Sequence, residues 1–285
     1  MKAFDLYEPE SIEEACAMLE KGNGEARILA GGTDLLVEMK SRLVNLTKVI
    51  NLKGIDGLDY ISFKPKEGMR IGALATWSQI LDSDEVATYY PVLKQSAQVM
   101  ASVQIRNMAT LAGNICHASP AANGPIPLML YEAECTIQGT AGKRTVPIEK
   151  MFAGVQRNSL KPGEILVEIH IPPPPELSSE GSYQKFATRK AMDLGIAGVG
   201  ALAKVKNRSF DVVRIALAAV APTPIRARKA EEFLTGKSTE DDLIREGAQI
   251  ASKECNPISD VRASKEYRIE LVKELTYRAI KKCTV

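Results

Sequence analysis

Ile28-Leu-Ala-Gly-Gly-Thr-Asp-Leu-Leu36 runs from three apolar residues through two glycines to a hydroxyl, a carboxylate and two leucines. Ile28, Leu29 and Ala30 read as the end of a strand, Gly31 and Gly32 as a turn without side chains, and Thr33-Asp34 as the start of a helix. A turn lacking Cβ atoms lets backbone approach a phosphate, and the first free N–H groups of a helix point at such an anion. The Thr33 hydroxyl could add one donor. The same pattern also serves a plain strand-to-helix turn whose glycines supply only backbone angles, because short Gly-Gly signals are weak.

A second stretch, Ile105-Arg-Asn-Met-Ala-Thr-Leu-Ala-Gly-Asn-Ile-Cys-His-Ala-Ser-Pro-Ala-Ala-Asn123, places Thr110, Gly113 and Asn114 close together. A hydroxyl, an unhindered backbone and an amide at that spacing suit a loop that wraps a polar ligand. Ala30-Gly-Gly-Thr-Asp34 and Thr110-Leu-Ala-Gly-Asn114 together resemble the two pyrophosphate-binding loops of the FAD-binding subunit of molybdenum hydroxylases, the xanthine dehydrogenase and carbon monoxide dehydrogenase family. Tyr183-Gln-Lys-Phe-Ala-Thr-Arg-Lys-Ala-Met-Asp-Leu-Gly-Ile-Ala-Gly-Val199 resembles the opening strands of that subunit's C-terminal domain. The three motifs stand in the family's order over nearly the full length.

The resemblance implies an α+β chain. Residues 1–175 would form a two-subdomain FAD-binding domain of the vanillyl-alcohol-oxidase or PCMH type, its subdomains spanning about 1–57 and 58–175. Residues 176–285 would form a C-terminal domain of a three-stranded antiparallel sheet and a helical bundle. It implies FAD contacts at Leu29, Ala30, Gly31, Gly32, Thr33, Asp34, Thr110, Gly113, Asn114, Asn123, Leu160 and Lys185. A lysine beside the flavin would raise its reduction potential, whereas an ordinary strand lysine is simply solvated. Asn123 stands where many relatives carry aspartate; an amide still hydrogen-bonds but brings no negative charge. Arg106 and Arg189 read either as phosphate or partner contacts or as surface arginines, and Leu194 can pack against a flavin but not stack on it.

Lys plus Arg 37 against Asp plus Glu 35 leaves a net charge of +2, which gives no electrostatic case for nucleic acid or an anionic membrane. Apolar runs such as Ile215 to Ala221 fall far short of the ~20 residues of a membrane span, and the N-terminus lacks a secretion signal, so a cytoplasmic protein is expected. Five scattered cysteines without a C-x-x-C pair fit a reducing compartment. With only two histidines, His117 and His170, a metal site has little to build on. Cys116-His117 therefore reads as packing beside the ligand rather than as a chelate.

Ser11-Ile-Glu-Glu14 is a capping box that opens a helix ending at Gly22. Strands are expected at 26–30 and 48–52, with a helix between them over 33–43 whose apolar positions are Leu35, Leu36, Met39 and Leu43. A hairpin over 59–63 and 69–71 precedes helices at 77–81 and 91–103, the loop 105–123, and a helix around 126–132. Strands at 135–138, 143–146 and 165–171 lead to Pro172-Pro-Pro-Pro175, which continues neither ladder nor helix. Strands at 182–189, 195–206 and 212–220 and helices at 229–234, 240–253 and 265–281 complete the chain.

No Ser/His/Asp order, G-x-S-x-G, H-E-x-x-H or Walker loop is present, so no substrate-activating residue is expected here. The resemblance implies partners: a small subunit with [2Fe–2S] clusters and a large one with the molybdopterin cofactor. Electrons would pass from the clusters through FAD to NAD⁺ or another acceptor. A xanthine dehydrogenase-like complex is the first expectation; carbon monoxide, aldehyde or N-heterocycle dehydrogenases such as those of nicotinate are the alternatives. A reading of another class is a flavin-free assembly module, against which the glycines at 31, 32 and 113 stand.

Overall fold

The structure is a computed structural model and describes residues 1–174, 179–189 and 191–284. The domain boundary expected at Pro175 lies outside the described residues. The first part is a three-stranded parallel sheet in the order β1 (Asp5–Tyr7), β3 (Lys48–Asn51), β2 (Ala26–Leu29). Helix α1 (Ile12–Lys21) joins β1 to β2, and α2 (Leu35–Lys40) joins β2 to β3. Ser11 caps α1 by accepting from the Glu14 N–H at 3.2 Å, but the Glu14 carboxylate turns back one residue further than a capping box requires, to the Glu10 N–H at 2.9 Å.

The helix expected over 33–43 is shorter at both ends. It stops at Lys40 because Arg42 takes a left-handed φ of 59°, and this turn throws Leu43, expected on the apolar stripe, out to 76% exposure. The short parallel strand β1 carried too little periodicity to be read from the sequence.

A five-stranded antiparallel sheet follows, ordered β4 (Ile61–Lys64), β5 (Gly68–Gly72), β10 (Ile165–Ile171), β6 (Glu134–Gly139), β7 (Gly142–Pro147). Between β5 and β6 the chain builds a helical layer: α3 (Trp77–Asp82), α4 (Asp84–Tyr89), α5 (Pro91–Gln98), α6 (Val103–Arg106), α7 (Leu111–His117) and α8 (Pro125–Leu130). The helix expected over 91–103 is broken after Gln98, because Ala101 adopts a left-handed φ of 40° and Ser102 starts a new helix by accepting from the Ile105 N–H. A small hairpin, β8 (Phe152–Gly154) and β9 (Arg157–Asn158), lies between β7 and β10.

The last part is a sheet of β11 (Ser179–Phe186), β12 (Ala197–Lys206), β13 (Ser209–Ala218) and β14 (Ile225–Arg226), with α9 (Arg228–Leu234), α10 (Asp241–Lys253) and α11 (Lys265–Lys282) on one side. Three antiparallel strands were expected; a two-residue edge strand makes the fourth.

Strand β12 is buried on both faces. Ala197, Val199, Ala201 and Ala203 join the core under α9, α10 and α11, and the alternate positions Gly198, Gly200 and Leu202 face α8 of the preceding part. A Cβ on Gly200 would lie 2.3 Å from the Ile126 Cγ2, so α8 is seated directly on the strand's backbone. Gly200→Ala should lower stability by about 1–3 kcal/mol through overpacking, and Ile126→Ala in the same chain should restore part of it. Chemical denaturation of the two chains measures this; an unchanged midpoint for Gly200→Ala would show that the contact yields freely. The edge strand β11 is also tied to α5, since the Gln95 side chain donates to the Gly181 carbonyl at 3.2 Å and accepts from the Tyr183 N–H at 2.7 Å.

Candidate functional site

The Gly-Gly turn leaves β2 at its C-terminal end and runs against the segment before α7. A Cβ on Gly31 would sit 2.2 Å from the Met108 carbonyl oxygen and 2.9 Å from the Ala109 Cα, so the two motifs meet backbone to backbone. Gly32 has a left-handed φ of 75° and covers the Leu29 side chain, which therefore supports the turn from beneath. Thr33 and Asp34 belong to the turn; the helix begins only at Leu35, after the Leu36 N–H has bonded to the Gly32 carbonyl at 3.0 Å. Asp34 gives no side-chain cap.

Among the described residues, none of the N–H groups from Gly31 to Leu35 donates to a backbone acceptor. Consecutive free donors on a turn with two glycines form a concave anion cradle. With α2 only six residues long, the loop's own N–H groups carry this attraction rather than a long helix dipole.

The second motif is a helix, which corrects the loop expected over 105–123. Thr110 is the N-cap of α7 and accepts from the Gly113 N–H at 2.9 Å, so Gly113 and Asn114 lie within the first turns. Glycine and asparagine are poor helix formers, and here the cap and the buried Leu111 and Ile115 outweigh their propensity. Gly113 is needed for space, since a Cβ would meet the Thr110 Oγ1 at 2.9 Å. The Asn114 Oδ1 accepts from the Gly124 N–H at 3.1 Å and so ties α7 to the start of α8.

The two motifs line one cleft of about 690 Å³, within the usual range for ligand sites of about 300–1,000 Å³. Of the expected contacts, Ala30, Gly31, Gly32, Thr33, Asp34, Thr110, Gly113, Asn114 and Leu160 line it. Leu29 and Asn123 are not in its wall. Asn123 is buried, with its amide directed to the Ser96 carbonyl at 3.5 Å.

Lys185 lines a separate cavity of about 320 Å³ together with Val99, Met192 and Asp193. Its ammonium donates to the Val99 carbonyl at 3.4 Å, and burial pulls its pKa down against the opposing pull of Asp193. It is thus not a freely solvated strand lysine. The cavities are neighbours along the chain, since Val99 lines one and Met100 the other. Arg106 holds that junction by donating to the Met100 carbonyl at 2.7 Å, which makes it a structural clamp rather than a surface arginine. Asp193 accepts from the Arg189 and Leu194 N–H groups, and these bonds hold its carboxyl below the usual range. Leu194 is half exposed and Arg189 is a surface residue.

Several lining residues escaped the sequence reading. Arg27, Glu38, Asn158 and Lys161 face the cleft as well. Lys161-Pro-Gly163 carried a turn signal, but nothing local pointed to Asn158, whose partner Cys116 is distant in sequence. Cys116 and His117 also line the cleft. Burial pushes the Cys116 thiol up to about 12. The His117 Nδ1 lies 3.7 Å from the Glu38 carboxylate, across from α7 to α2.

A cleft of about 690 Å³ lined by the free N–H groups of the Gly31–Leu35 turn, by the Thr110 hydroxyl and by apolar side chains has the chemistry of a site for a phosphate-bearing cofactor. A model of the FAD-binding domain in molybdopterin dehydrogenase matches residues 2–174, and one of the CO dehydrogenase flavoprotein C-terminal domain matches residues 182–283. The xanthine dehydrogenase FAD-binding subunit of Escherichia coli O157:H7 is 32% identical over 90% of this chain and 88% of its own length. The glyceraldehyde dehydrogenase medium chain of Sulfolobus acidocaldarius is also 32% identical, over 98% of this chain and 97% of its own. Among solved structures, the carbon monoxide dehydrogenase of Hydrogenophaga pseudoflava superposes with a TM-score of 0.95 at 30% identity, over 99% of this chain and 97% of that one. Quinoline 2-oxidoreductase of Pseudomonas putida 86 gives 0.93 at 30% identity, over 100% and 98%. The chain belongs to the family of FAD-binding medium subunits of the molybdenum hydroxylases.

The site fits FAD by its own geometry, because Cβ atoms at Gly31, Gly32 and Gly113 would collide with Met108, Leu29 and Thr110 and force the two motifs apart, and the free N–H row of the first turn suits a diphosphate. No helix among the described residues is long and apolar enough to cross a membrane.

Proposed function

We propose that this chain is the FAD-carrying electron-transfer subunit of a xanthine dehydrogenase-like complex, standing between [2Fe–2S] clusters in a small subunit and NAD⁺ as acceptor, with the molybdopterin cofactor in a large subunit. The observation that carries the reading is the backbone contact of Gly31 with residues 108–109, which joins the donor-lined Gly-Gly turn and the start of α7 into one cleft. FAD, when bound, exchanges electrons singly or in pairs and so links one-electron clusters to a two-electron acceptor.

The backbone N–H groups of Gly31 to Leu35 and the Thr110 hydroxyl would hold the diphosphate. Ala30, Gly113, Asn114 and Leu160 would form the walls, and Leu29 would support the first turn. Lys185 would meet the flavin from its own cavity, which adjoins the cleft where Val99 is followed by Met100. Asn123 would act through Ser96 and the packing of α8 rather than by contact, so Asn123→Asp should shift the flavin potential little if it folds. Residues 1–175 would be the FAD-binding domain and 176–285 the domain that closes over the ring.

The Escherichia coli relative supports the xanthine-type assignment. The equal identity of the Sulfolobus acidocaldarius chain over a larger share of its length supports an aldehyde-oxidising complex as the second reading. Substrate choice belongs to a partner chain, so the purified complex must decide it. The test is to denature the protein, identify the released flavin, and then add NADH without oxygen to the native complex. Released FAD and bleaching of the flavin band are expected. FAD without bleaching would remove NAD⁺ as acceptor, and turnover of glyceraldehyde without turnover of xanthine would reverse the order of the two substrate readings.

A further inference from the structure

Residues Phe152 to Glu164 form a strap along the cleft that is fastened to three separate elements. At its far end the Glu164 carboxylate accepts from the Arg144 Nε at 2.7 Å, from Nη2 at 2.6 Å and from the Lys161 N–H at 2.7 Å. Gly163 there, with φ 76°, lies so close to α1 that a Cβ would stand 2.9 Å from the Glu20 Cβ. At the near end the Gln156 N–H donates at 3.1 Å to the carbonyl of Ala118, the left-handed residue that ends α7.

Between these fastenings the Asn158 side chain faces two ways. Its Nδ2 donates to the Cys116 carbonyl at 2.6 Å, and its Oδ1 accepts from the Leu160 N–H at 3.1 Å. Cys116 is in the last turn of α7, where carbonyls have no partner within the helix. An amide alone among side chains of this size offers a neutral donor on one side and an acceptor on the other.

We infer that Asn158 is a positioning residue of the FAD site, whose amide locks the strap to the C-terminal turn of α7 and so fixes Leu160 in the wall of the cleft that Thr110 and Gly113 also line. This rests on the assignment of the cleft to FAD. Asn158 need not touch the cofactor. It sets the distance between the wall that Leu160 supplies and the cradle that α7 supplies, and it satisfies two backbone groups that would otherwise stand unpaired at the edge of the cleft.

Two substitutions separate this role from a local turn. Asn158→Ala removes both bonds. Asn158→Asp keeps the acceptor for the Leu160 N–H but sets a carboxylate oxygen against the Cys116 carbonyl, so only the link to α7 is lost. Each apo chain is titrated with FAD by flavin fluorescence, the visible circular dichroism of the bound flavin is recorded, and hydrogen exchange of the Leu160 amide is followed without FAD. Both variants should bind FAD roughly tenfold more weakly or worse, since a lost hydrogen bond with an orphaned partner is of that order. Both should show an altered flavin dichroism. Exchange at Leu160 should quicken in the alanine chain, and in the aspartate chain the flavin signals should change even where that amide stays protected. Should the alanine chain fail to fold, the isosteric aspartate chain carries the test alone. An aspartate chain with the affinity and dichroism of the parent would overturn the inference and leave only a local turn. A parent chain that binds no FAD in the same titration would instead remove the assignment of the cleft, and the inference with it.

Discussion

A Gly31→Ala chain is expected to purify without flavin. The methyl group would arrive 2.2 Å from the Met108 carbonyl oxygen and 2.9 Å from the Ala109 Cα, distances that no side-chain rotation relieves because both obstacles are backbone. The turn must then move away from the segment that leads into Thr110, and the free N–H groups of Gly31 to Leu35 would no longer face the first turn of α7. Overpacking of this kind costs about 1–3 kcal/mol of stability. The effect on FAD should be larger than that, roughly a hundredfold or more in affinity, because the Gly31–Leu35 donors and the Thr110 hydroxyl can no longer reach one diphosphate together when the motifs separate. Gly54→Ala is the matched control, since nothing lies within 4 Å of its Cβ position. Flavin content after purification and thermal unfolding of the apo chains provide the readings. A Gly31→Ala chain with full flavin and the control's melting temperature would mean that the contact between the two motifs does not build the site.

The same glycine shows why part of the site was legible in the sequence. Gly31-Gly32 is informative because a turn with no side chains is a local requirement, written where it is used. The order of strands and helices around it was legible for the same reason: Ser11, the Lys64-Pro-Lys-Glu-Gly68 turn inside the expected hairpin and Pro172 after the strand at 165–171 are local signals.

What escaped was settled by contacts distant in sequence. Gly113 and Asn114 looked like loop residues, yet the Thr110 cap and the burial of Leu111 and Ile115 on the large core make them helical. Leu43 fitted the apolar stripe of α2 by count, but the left-handed Arg42 ended the stripe before it. Lys185 was matched to the cofactor as a residue type, while its position depends on where Val99 lies, and that is set by the break after α5 and by Arg106. Asn158 carried no signal of its own, because an asparagine after Arg157 reads as any turn until Cys116 is brought beside it.

The second large effect is expected at Glu231, far from the cleft. Its carboxylate accepts from the Arg226 Nε at 2.6 Å, from Nη2 at 2.9 Å and from the Ile215 N–H at 2.7 Å, and the two side chains are only 8% and 2% exposed. Glu231→Ala leaves a guanidinium buried beside an unpaired backbone donor, and breaking a buried pair from one side costs about 3–5 kcal/mol. The lower end of that range is expected, because Glu132 and Glu149 each stand 3.9 Å from the Arg226 Nη1 and replace part of the lost charge. Replacing both partners, Arg226→Met with Glu231→Leu, should be milder than Glu231→Ala, since no charge is then left behind. The consequence should travel to the cleft by a defined route. Arg226 donates from Nη1 to the Met129 carbonyl at 3.0 Å near the end of α8, and α8 is preceded by Gly124, whose N–H is held by Asn114 in the wall of the cleft. Weaker FAD retention should therefore accompany the lower unfolding midpoint of Glu231→Ala, and both should partly recover in the double variant. A change in stability below about 1 kcal/mol would place the pair with solvated surface ion pairs, and α8 would then be seated by its other contacts, Ile126 on Gly200 and the Arg214 bond to the Leu130 carbonyl among them.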